Sequence, residues 1–197
     1  MKLSEQKRLQ IVTAAEALFS EHGVAATSMD QIAARAEVSK RTVYNHFATK
    51  ADLFAAMLEA MFAKVDQGEI LAYAPGESIH AQLTAIAQQE IGLLTSPAFL
   101  KVARVAFLQM LTDASLAKMI NKSSMGCLRY FSVFLQAAVD DGVLAIDDLE
   151  LASKQFVFQL KSLVFYPLLY GLSDSVSNTD YLVEESVKLF LARYAIR

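Results

Sequence analysis

Residues 27–54, TSMDQIAARAEVSKRTVYNHFATKADLF, carry the start signals of two short helices. Ser28 and Ser39 are residue types whose hydroxyl accepts a hydrogen bond from a free N–H group at a helix N-terminus. Their spacing predicts a helix over about 29–36, a tight turn, and a second helix over about 39–46. Two short helices joined by a tight turn form a helix-turn-helix, which lays its second helix in the major groove of DNA.

The second helix of this pair has an apolar face and a polar face. Val43 and Phe47 are four residues apart, so they share the face that packs on the core. The remaining side chains carry hydroxyl, amide, imidazole and cationic groups; they are Lys40, Arg41, Thr42, Tyr44, Asn45 and His46. A surface this rich in hydrogen-bond donors suits nucleic acid.

The chemistry of each side chain predicts its role on DNA. Arg41 can bond O6 and N7 of guanine, Asn45 can bond N6 and N7 of adenine, and the Thr42 methyl can contact a thymine methyl. Hydroxyls, an ammonium group and free N–H groups at a helix start suit phosphates, which predicts phosphate contacts for Thr27, Ser28, Tyr44 and Lys50. The residues expected to face DNA are completed by Ser39, Lys40 and His46.

Helical periodicity continues on both sides of this stretch. A helix is predicted over 6–21, ended by Gly23, with an apolar stripe at Ile11, Ala14, Ala15, Leu18 and Phe19. Both Thr27 and Ser28 are cap candidates for the next helix, with capping-box partners at Asp30 and Gln31 respectively. Thr49 can cap a fourth helix that runs to about residue 65 and buries Leu53, Phe54, Met57, Leu58 and Met61.

The same stretch resembles the DNA-binding signature of the TetR family of bacterial regulators. The likeness comprises the capped helix, the Ala-x-Val-Ser turn, Tyr44-x-x-Phe47, and Lys50 before a helix that carries Leu53. With the first helix it spans roughly residues 8–60. Glu37 departs from the pattern, because the family commonly has Gly in that turn. If the position requires a positive φ, Glu costs about 1 kcal/mol there, which we expect the fold to tolerate.

Charge is unevenly distributed along the 197 residues, whose net charge is −3. Residues 1–50 hold seven Lys and Arg against five Asp and Glu, a local charge of +2, and the rest of the chain carries −5. An acidic surface is repelled by polyphosphate. We therefore expect DNA contacts only in the first fifty residues.

The composition and periodicity of the remaining chain indicate an all-α protein of about nine helices. Pro75 and Gly76 mark a break, and further helices are predicted over about 78–95, 97–111, 115–140, 148–171 and 179–195. We expect an N-terminal three-helix helix-turn-helix domain over 1–50. A larger helical domain for ligand binding and dimerisation follows over 51–197, with 51–65 as the connecting helix.

An aromatic and methionine series runs through the C-terminal half, and periodicity alone does not separate a solid core from a lined cavity. The TetR resemblance implies a pocket for a small apolar or amphipathic effector among the fifth to eighth helices. The expected wall is Phe107, Met110, Tyr130, Phe134 and Phe158, with Gln88 or Arg104 as a polar anchor. Arg104 has alternatives, since Glu90 or a neighbouring helix end can also be its partner.

The last two predicted helices, 148–171 and 179–195, are apolar around much of their circumference. This pattern predicts burial between two subunits of a homodimer, which presents two recognition helices to a near-palindromic operator. Pro167 should bend the first of these helices near its end. The resulting hypothesis is a repressor that its effector releases from DNA. A regulator without an effector and a helical protein-interaction module remain alternatives.

Several other classes of protein lack support in the sequence. Cys127 is the only cysteine and the three histidines lie apart, which gives no disulfide and no metal spacing. No P-loop, GxGxxG or GxSxG motif occurs, so we expect neither catalytic residues nor a cofactor. No apolar run has the length of a membrane span and the first ten residues have no signal-peptide core, which predicts a cytoplasmic protein.

Overall fold

The computed structural model describes residues 3–65, 68–112 and 126–196, and their regular structure is helical. The first six helices are α1 (Leu3–His22), α2 (Met29–Arg35), α3 (Lys40–His46), α4 (Lys50–Val65), α5 (Ile79–Thr95) and α6 (Pro97–Thr112). A 3₁₀ turn (Gly126–Arg129) precedes α7 (Phe131–Asp140), and the chain ends with α8 (Leu149–Leu160), a π turn (Lys161–Phe165), α9 (Tyr166–Leu169) and α10 (Thr179–Tyr194). Within these residues the β structure is a single bridge between Leu144 and Ala195. The all-α expectation is confirmed.

The chain divides into two compact units. The first takes the described residues up to Lys64 together with 105–112, and the second takes the described residues of 65–104 and 126–196. Helix α6 is thus divided between the units after Arg104. We expected a boundary at 50/51, whereas the structure groups α4 with the first three helices. The reason is packing, because Phe54 of α4 is fully buried with its ring 5.8 Å from that of Phe19 in α1.

The segment after α4 is bound to the second unit. The Gln82 side chain accepts a hydrogen bond from the Ala74 N–H (2.8 Å) and donates to the Ala74 carbonyl (3.0 Å). Tyr73 donates to Asp141 at 2.5 Å, which raises the pKa of its hydroxyl to about 12. The Pro75-Gly76 break is therefore a fixed loop of this unit.

Hydrogen-bonded caps define the helices of the first unit. Gly23, at φ +80°, ends α1 as predicted, and Ser28 forms the capping box with Gln31. Ser39 accepts from the Thr42 N–H at 3.0 Å, so it caps α3. Thr49 and Asp52 exchange hydrogen bonds at the start of α4, a reciprocal pair for which the sequence named only Thr49.

Glu37 adopts the left-handed conformation, with φ 54°. The position therefore has the positive φ on which the expected cost of a glutamate depends. It follows α2 in a Schellman motif, in which the Val38 N–H bonds the Ala33 carbonyl and the Glu37 N–H bonds the Ala34 carbonyl. Glycine is the usual residue at this point of the motif. A Cβ there costs on the order of 1 kcal/mol.

Aromatic rings fill the interior of the second unit. Phe131 of α7 lies 5.8 Å from Phe134, 5.0 Å from Phe156 of α8 and 6.3 Å from Phe190 of α10, measured between ring centroids. All four rings are at most 5% exposed. Most of the aromatic series is therefore core, as periodicity allowed. The predicted start of α7, at about residue 115, lies outside the described residues.

A π turn replaces the simple bend that Pro167 predicted. Pro167 has no N–H, and its ring would collide with the carbonyl four residues earlier in a regular helix. The chain widens over Lys161–Phe165, and the Tyr166 N–H bonds the Lys161 carbonyl, five residues back. This wider turn precedes Pro167 directly, and the helical chain then ends at Leu169.

In the part of the chain that the structure describes, no single helix is long and apolar enough to cross a membrane. Among the described helices, one pair passes this test when its two members are counted together, namely Ile79–Thr95 and Pro97–Leu111, which are bent by 66°.

Candidate nucleic-acid interface

The outer face of α3 carries the candidate DNA-reading groups. Val43 is fully buried and Phe47 is 4% exposed, and the two fix α3 on the core of the first unit. Arg41, Tyr44 and Asn45 are exposed. Among the described residues, Arg41 and Asn45 make no hydrogen bond and no ion pair through their side chains. Their donors and acceptors are available to a bound molecule.

The start of α3 holds its own polar groups in local contacts. The Ser39 Oγ lies 2.8 Å from the Thr42 Oγ1 in addition to accepting from the Thr42 N–H. The Thr42 hydroxyl is thus engaged within the helix start, and its methyl group is the part suited to a thymine. Ser39 serves the cap first, and its exposed position leaves room for a phosphate beside it.

Lys40 pairs with an acidic neighbour on α2. Its Nζ lies 2.8 Å from an Asp30 carboxylate oxygen, and this hydrogen bond is the main reason that the pKa of Lys40 is raised. Both side chains are about 60% exposed, and exposed ion pairs contribute little to stability. A phosphate can therefore compete with Asp30 for the ammonium group.

His46 is half-buried, with its ring 6.3 Å from that of Phe47.

Lys50 occupies a position that the sequence did not reveal. Its ammonium donates to the carbonyls of Val24 (2.6 Å), Thr27 (2.9 Å) and Ala25 (3.3 Å), in the turn between α1 and α2. A cation at the start of α4 is unfavourable to the helix dipole by about 0.3–1 kcal/mol. Hydrogen bonds from a charged donor contribute about 1.5–3 kcal/mol, so the carbonyl contacts decide its place.

Thr27 and Ser28 are placed differently, although the sequence treated them alike. Thr27 is 1% exposed, and its hydroxyl donates to the Gly23 carbonyl at 2.8 Å. The phosphate contact expected from this side chain does not fit such a buried position. Ser28 is exposed at the start of α2, where its hydroxyl is bonded to Gln31.

The second unit separates the residues expected to bind an effector. Tyr130 is 6% exposed and donates to the Gln89 side chain at 2.9 Å, and burial raises the pKa of its hydroxyl to about 12. Phe134 is 2% exposed and stacks on Phe131. Gln88, by contrast, is exposed. The amide beside Tyr130 is therefore Gln89 and not Gln88.

Three other residues were expected in the pocket wall, namely Phe107, Met110 and Phe158. Phe158 is 48% exposed, and the Lys161 ammonium lies 5.4 Å from the centre of its ring. Phe107 and Met110 are half-buried and belong to the first unit. Apolar periodicity could not distinguish the two sides of α8, because both are apolar.

Arg104 binds a helix end, which was one of the alternatives for it. Its Nη2 donates to the Leu168 carbonyl at 2.9 Å and its Nε to the Leu169 carbonyl at 3.4 Å. Glu90 is not its partner, since the buried Glu90 carboxylate accepts from the Cys127 N–H at 2.8 Å. Cys127 is itself buried, and burial raises the pKa of its thiol.

Comparison with known proteins accounts for both units. Residues 11–57 match the bacterial regulatory proteins of the tetR family, and residues 81–196 match the AefR-like transcriptional repressor C-terminal domain. The second match alone covers more than half of the chain. This chain belongs to the TetR family of bacterial transcriptional regulators. The resemblance drawn from residues 27–54 is thereby confirmed.

Two solved structures of similar proteins each cover nearly the whole chain. A crystal structure of a TetR family regulator from Pseudomonas syringae pv. tomato is 37% identical, with a TM-score of 0.73, and covers 99% of this chain and 100% of that one. The flavonoid-responsive regulator FrrA is 27% identical, with a TM-score of 0.83, and covers 98% and 99%.

Among curated relatives, the HTH-type transcriptional activator FasR of Mycolicibacterium smegmatis is 42% identical over 55 residues. Those residues are 28% of this TetR-family chain and 25% of that protein. The match thus spans about a quarter of the length of the curated relative.

Proposed function

We propose that the protein is a homodimeric repressor that binds a near-palindromic operator through α3 and leaves it when a small apolar or amphipathic effector binds. The observation that carries the DNA-binding part is the pair Arg41 and Asn45. Both are exposed on α3, next to buried Val43, and neither is engaged by the described residues. An arginine and an asparagine so placed can read guanine and adenine.

Around this pair we assign supporting roles. Ser28, Ser39, Lys40 and Tyr44 are proposed phosphate or sugar contacts, Thr42 a methyl contact, and His46 a base or phosphate contact. For Lys50 we propose that it holds the turn before α2 through three carbonyls, and so places the N-terminus of α2 for a phosphate. Thr27 supports the same turn from inside.

The experiment that tests the DNA-binding proposal is selection of binding sites from random duplex DNA by the wild-type chain and by Arg41→Ala. The wild type should enrich one near-palindromic sequence. Arg41→Ala should weaken its binding by about 1–3 kcal/mol and lose preference at one base pair in each half-site. Lys64→Ala is the matched control, because Lys64 is a 67% exposed cation on α4 outside the proposed contact set. Unchanged base preference in Arg41→Ala would remove that residue from base reading.

The dimer is proposed from the exposed apolar side chains of the last helices. Leu151 and Phe158 on α8 are 51% and 48% exposed, and Tyr181 and Leu189 on α10 are 63% and 61% exposed. Each fully buried side chain of this size contributes about 1.5–3 kcal/mol. A second copy of the same surface would bury these side chains and pair two copies of α3 for one operator.

The effector part is supported by the size and apolar character of the second unit and by FrrA, which is named a flavonoid-responsive regulator. We propose Tyr130 and Phe134 as residues on which effector response depends, because Tyr130 joins α7 to α5 through Gln89. We also propose that the protein, as a DNA-binding regulator, acts in the cytoplasm and catalyses no reaction.

A further inference from the structure

A cavity of about 650 Å³ lies in the second unit, where the α5–α6 junction meets the loop before α10. Its walls come from three separate segments of the chain, and they do not include Tyr130 or Phe134. The lining residues are Thr95, Pro97, Leu100, Lys101, Arg104, Leu168, Asp174, Ser175, Val176 and Thr179. Because residues 95–104 are distant in sequence from residues 168–179, no local motif predicted the cavity.

One part of the cavity wall is apolar. Leu168 is 6% exposed, and Leu100 and Val176 are half-buried beside Pro97. Such side chains favour a hydrocarbon chain or a ring over water. A ligand of this cavity therefore needs an apolar portion.

The polar part of the wall includes two cations, Lys101 and Arg104, against one acidic residue, Asp174. Lys101 makes no hydrogen bond or ion pair with any described residue, although it lines the same cavity as Asp174. Arg104 is held by the carbonyls of Leu168 and Leu169, which engage its Nη2 and Nε and leave other N–H donors of the guanidinium. A fixed guanidinium and an ammonium that no described residue pairs, one helical turn apart, suit a carboxylate.

The start of α10 adds to this positive character. Its N-cap residue Asn178 accepts no hydrogen bond through its side chain, so the first N–H groups of α10 lack that partner. Thr179, the first residue of α10, lines the cavity. Among the described lining residues, Asp174 is the one with an acidic side chain, against the two cations Lys101 and Arg104.

We propose that this cavity binds small amphipathic anions, namely organic carboxylates with an apolar chain or ring. The carboxylate pairs with Lys101 and with the remaining donors of Arg104, and the apolar portion lies on Leu100, Leu168 and Val176. A neutral ligand of the same shape leaves both cations unpaired, and a cationic one is repelled by them. Binding at this site does not require DNA, so the proposal goes beyond the proposed operator binding.

The test is calorimetric titration of the DNA-free, full-length protein with octanoate, octanamide and octylamine, which share one apolar chain and differ in charge. Octanoate should bind at least about tenfold more tightly than octanamide, the factor expected for a charge-assisted contact. Octylamine should bind more weakly than octanamide. Equal affinities for the three compounds would overturn the proposal.

Variants locate the binding. Lys101→Gln should weaken octanoate binding by about tenfold and leave octanamide binding unchanged. Lys101→Arg keeps the positive charge and should bind octanoate about as tightly as the wild type. Asp174→Asn should strengthen octanoate binding, because it removes the one negative charge of the wall. Lys188→Gln, an exposed lysine on α10 that pairs with Glu185, is the matched control and should bind octanoate like the wild type. Wild-type affinity in Lys101→Gln would refute the assignment.

A reporter gives an independent measure of position. The chain has no tryptophan, so Ser175→Trp places a single indole at the rim of the cavity, on an exposed residue. Octanoate should change its fluorescence with the same affinity that calorimetry gives. An indole spectrum that stays constant while octanoate binds would place the ligand elsewhere and overturn the proposal.

Discussion

Glu37 shows how a single side chain can conflict with the backbone that it must adopt. Its φ of 54° belongs to a position where glycine carries no steric cost. We predict that Glu37→Gly raises the free energy of unfolding by about 1 kcal/mol. Urea unfolding of the wild type and of Glu37→Gly measures this difference. Glu37→Ala removes the carboxylate but keeps the Cβ, so it separates the effect of charge from that of backbone conformation. If Glu37→Ala stabilises as much as Glu37→Gly, the cause is the carboxylate and not the Cβ.

Lys50 is the second residue whose chemistry depends on its surroundings. The sequence suggested a phosphate ligand, whereas the ammonium is bound to carbonyls that close the turn before α2. We predict that Lys50→Met, which keeps a long unbranched side chain but removes the ammonium group, lowers the free energy of unfolding by about 1.5–3 kcal/mol. Thermal unfolding without DNA is the measurement.

Lys50→Arg is the control, because it keeps a charged donor at this position. It should retain most of the stability that Lys50→Met loses. A wild-type melting temperature in Lys50→Met, together with a lower salt dependence of DNA binding, would return Lys50 to the role of a phosphate ligand.

At the scale of helices, the sequence predicted what depends on local chemistry. The caps Ser28, Ser39 and Thr49 gave bounds within a residue or two of those observed for α2, α3 and α4, and the stop at Gly23 gave the end of α1 equally closely. The π turn at Lys161–Phe165 was missed, since the cause lies in Pro167, whose effect on the preceding turn has several structural solutions.

The candidate site follows the same division. Exposure of Arg41 and Asn45 was predictable from the spacing of Val43 and Phe47, which are buried as expected. The placement of Phe158 and Gln88 was not, because it depends on which of two similar faces meets the rest of the unit. Long-range contacts, such as that of Arg104 with Leu168, carry no sequence signal of their own.

The segment that leads into α7 depends on a close approach at Gly126. This residue has φ +61°, and a Cβ there would lie 2.2 Å from the Glu90 Oε2. We predict that Gly126→Ala lowers the free energy of unfolding by about 1–3 kcal/mol, because the added Cβ would collide with a buried carboxylate on a backbone in the left-handed region. Urea unfolding followed by circular dichroism, at equal protein concentrations, measures the change.

Gly92 supplies the matched control for this prediction. It lies within α5, and a Cβ there would meet no atom within 4 Å. Gly92→Ala should raise the free energy of unfolding by about 0.5–1 kcal/mol, since alanine loses less entropy in a helix. The two glycines should thus respond with opposite signs. A stabilising Gly126→Ala would show that the Glu90 contact yields easily.

For the whole molecule, the first prediction concerns the proposed homodimer. We predict that the double variant Phe158→Glu/Leu189→Glu is a monomer in light scattering and loses operator binding, because it places carboxylates in the proposed α8–α10 interface. Ile70→Glu is the control, since Ile70 is 62% exposed in the segment after α4. A double variant that remains dimeric at wild-type strength would place the interface on other residues.

Effector response requires a difference in free energy between two states of the protein. A ligand changes DNA affinity only if it binds one conformer more tightly than the other. In the proposed homodimer, the two copies of α3 must lie about one DNA turn apart, roughly 34–36 Å, to bind the operator together. A small change in either subunit therefore weakens both half-sites together, and the effector needs only a modest coupling energy.

We predict that an effector lowers operator affinity by about 5- to 150-fold, which corresponds to a coupling of about 1–3 kcal/mol. Operator affinity measured with a panel of apolar metabolites and antimicrobials identifies such compounds. Tyr130→Phe, which removes the hydrogen bond to Gln89, and Phe134→Leu should reduce this response more than they reduce operator binding itself. Tyr170→Phe, at an exposed tyrosine, should respond like the wild type. Both variants keep an apolar side chain in the packed interior, so an unchanged response in both would show that Tyr130 and Phe134 are not needed for effector response. If no compound of the panel changes operator affinity, the result would favour a regulator that works without an effector.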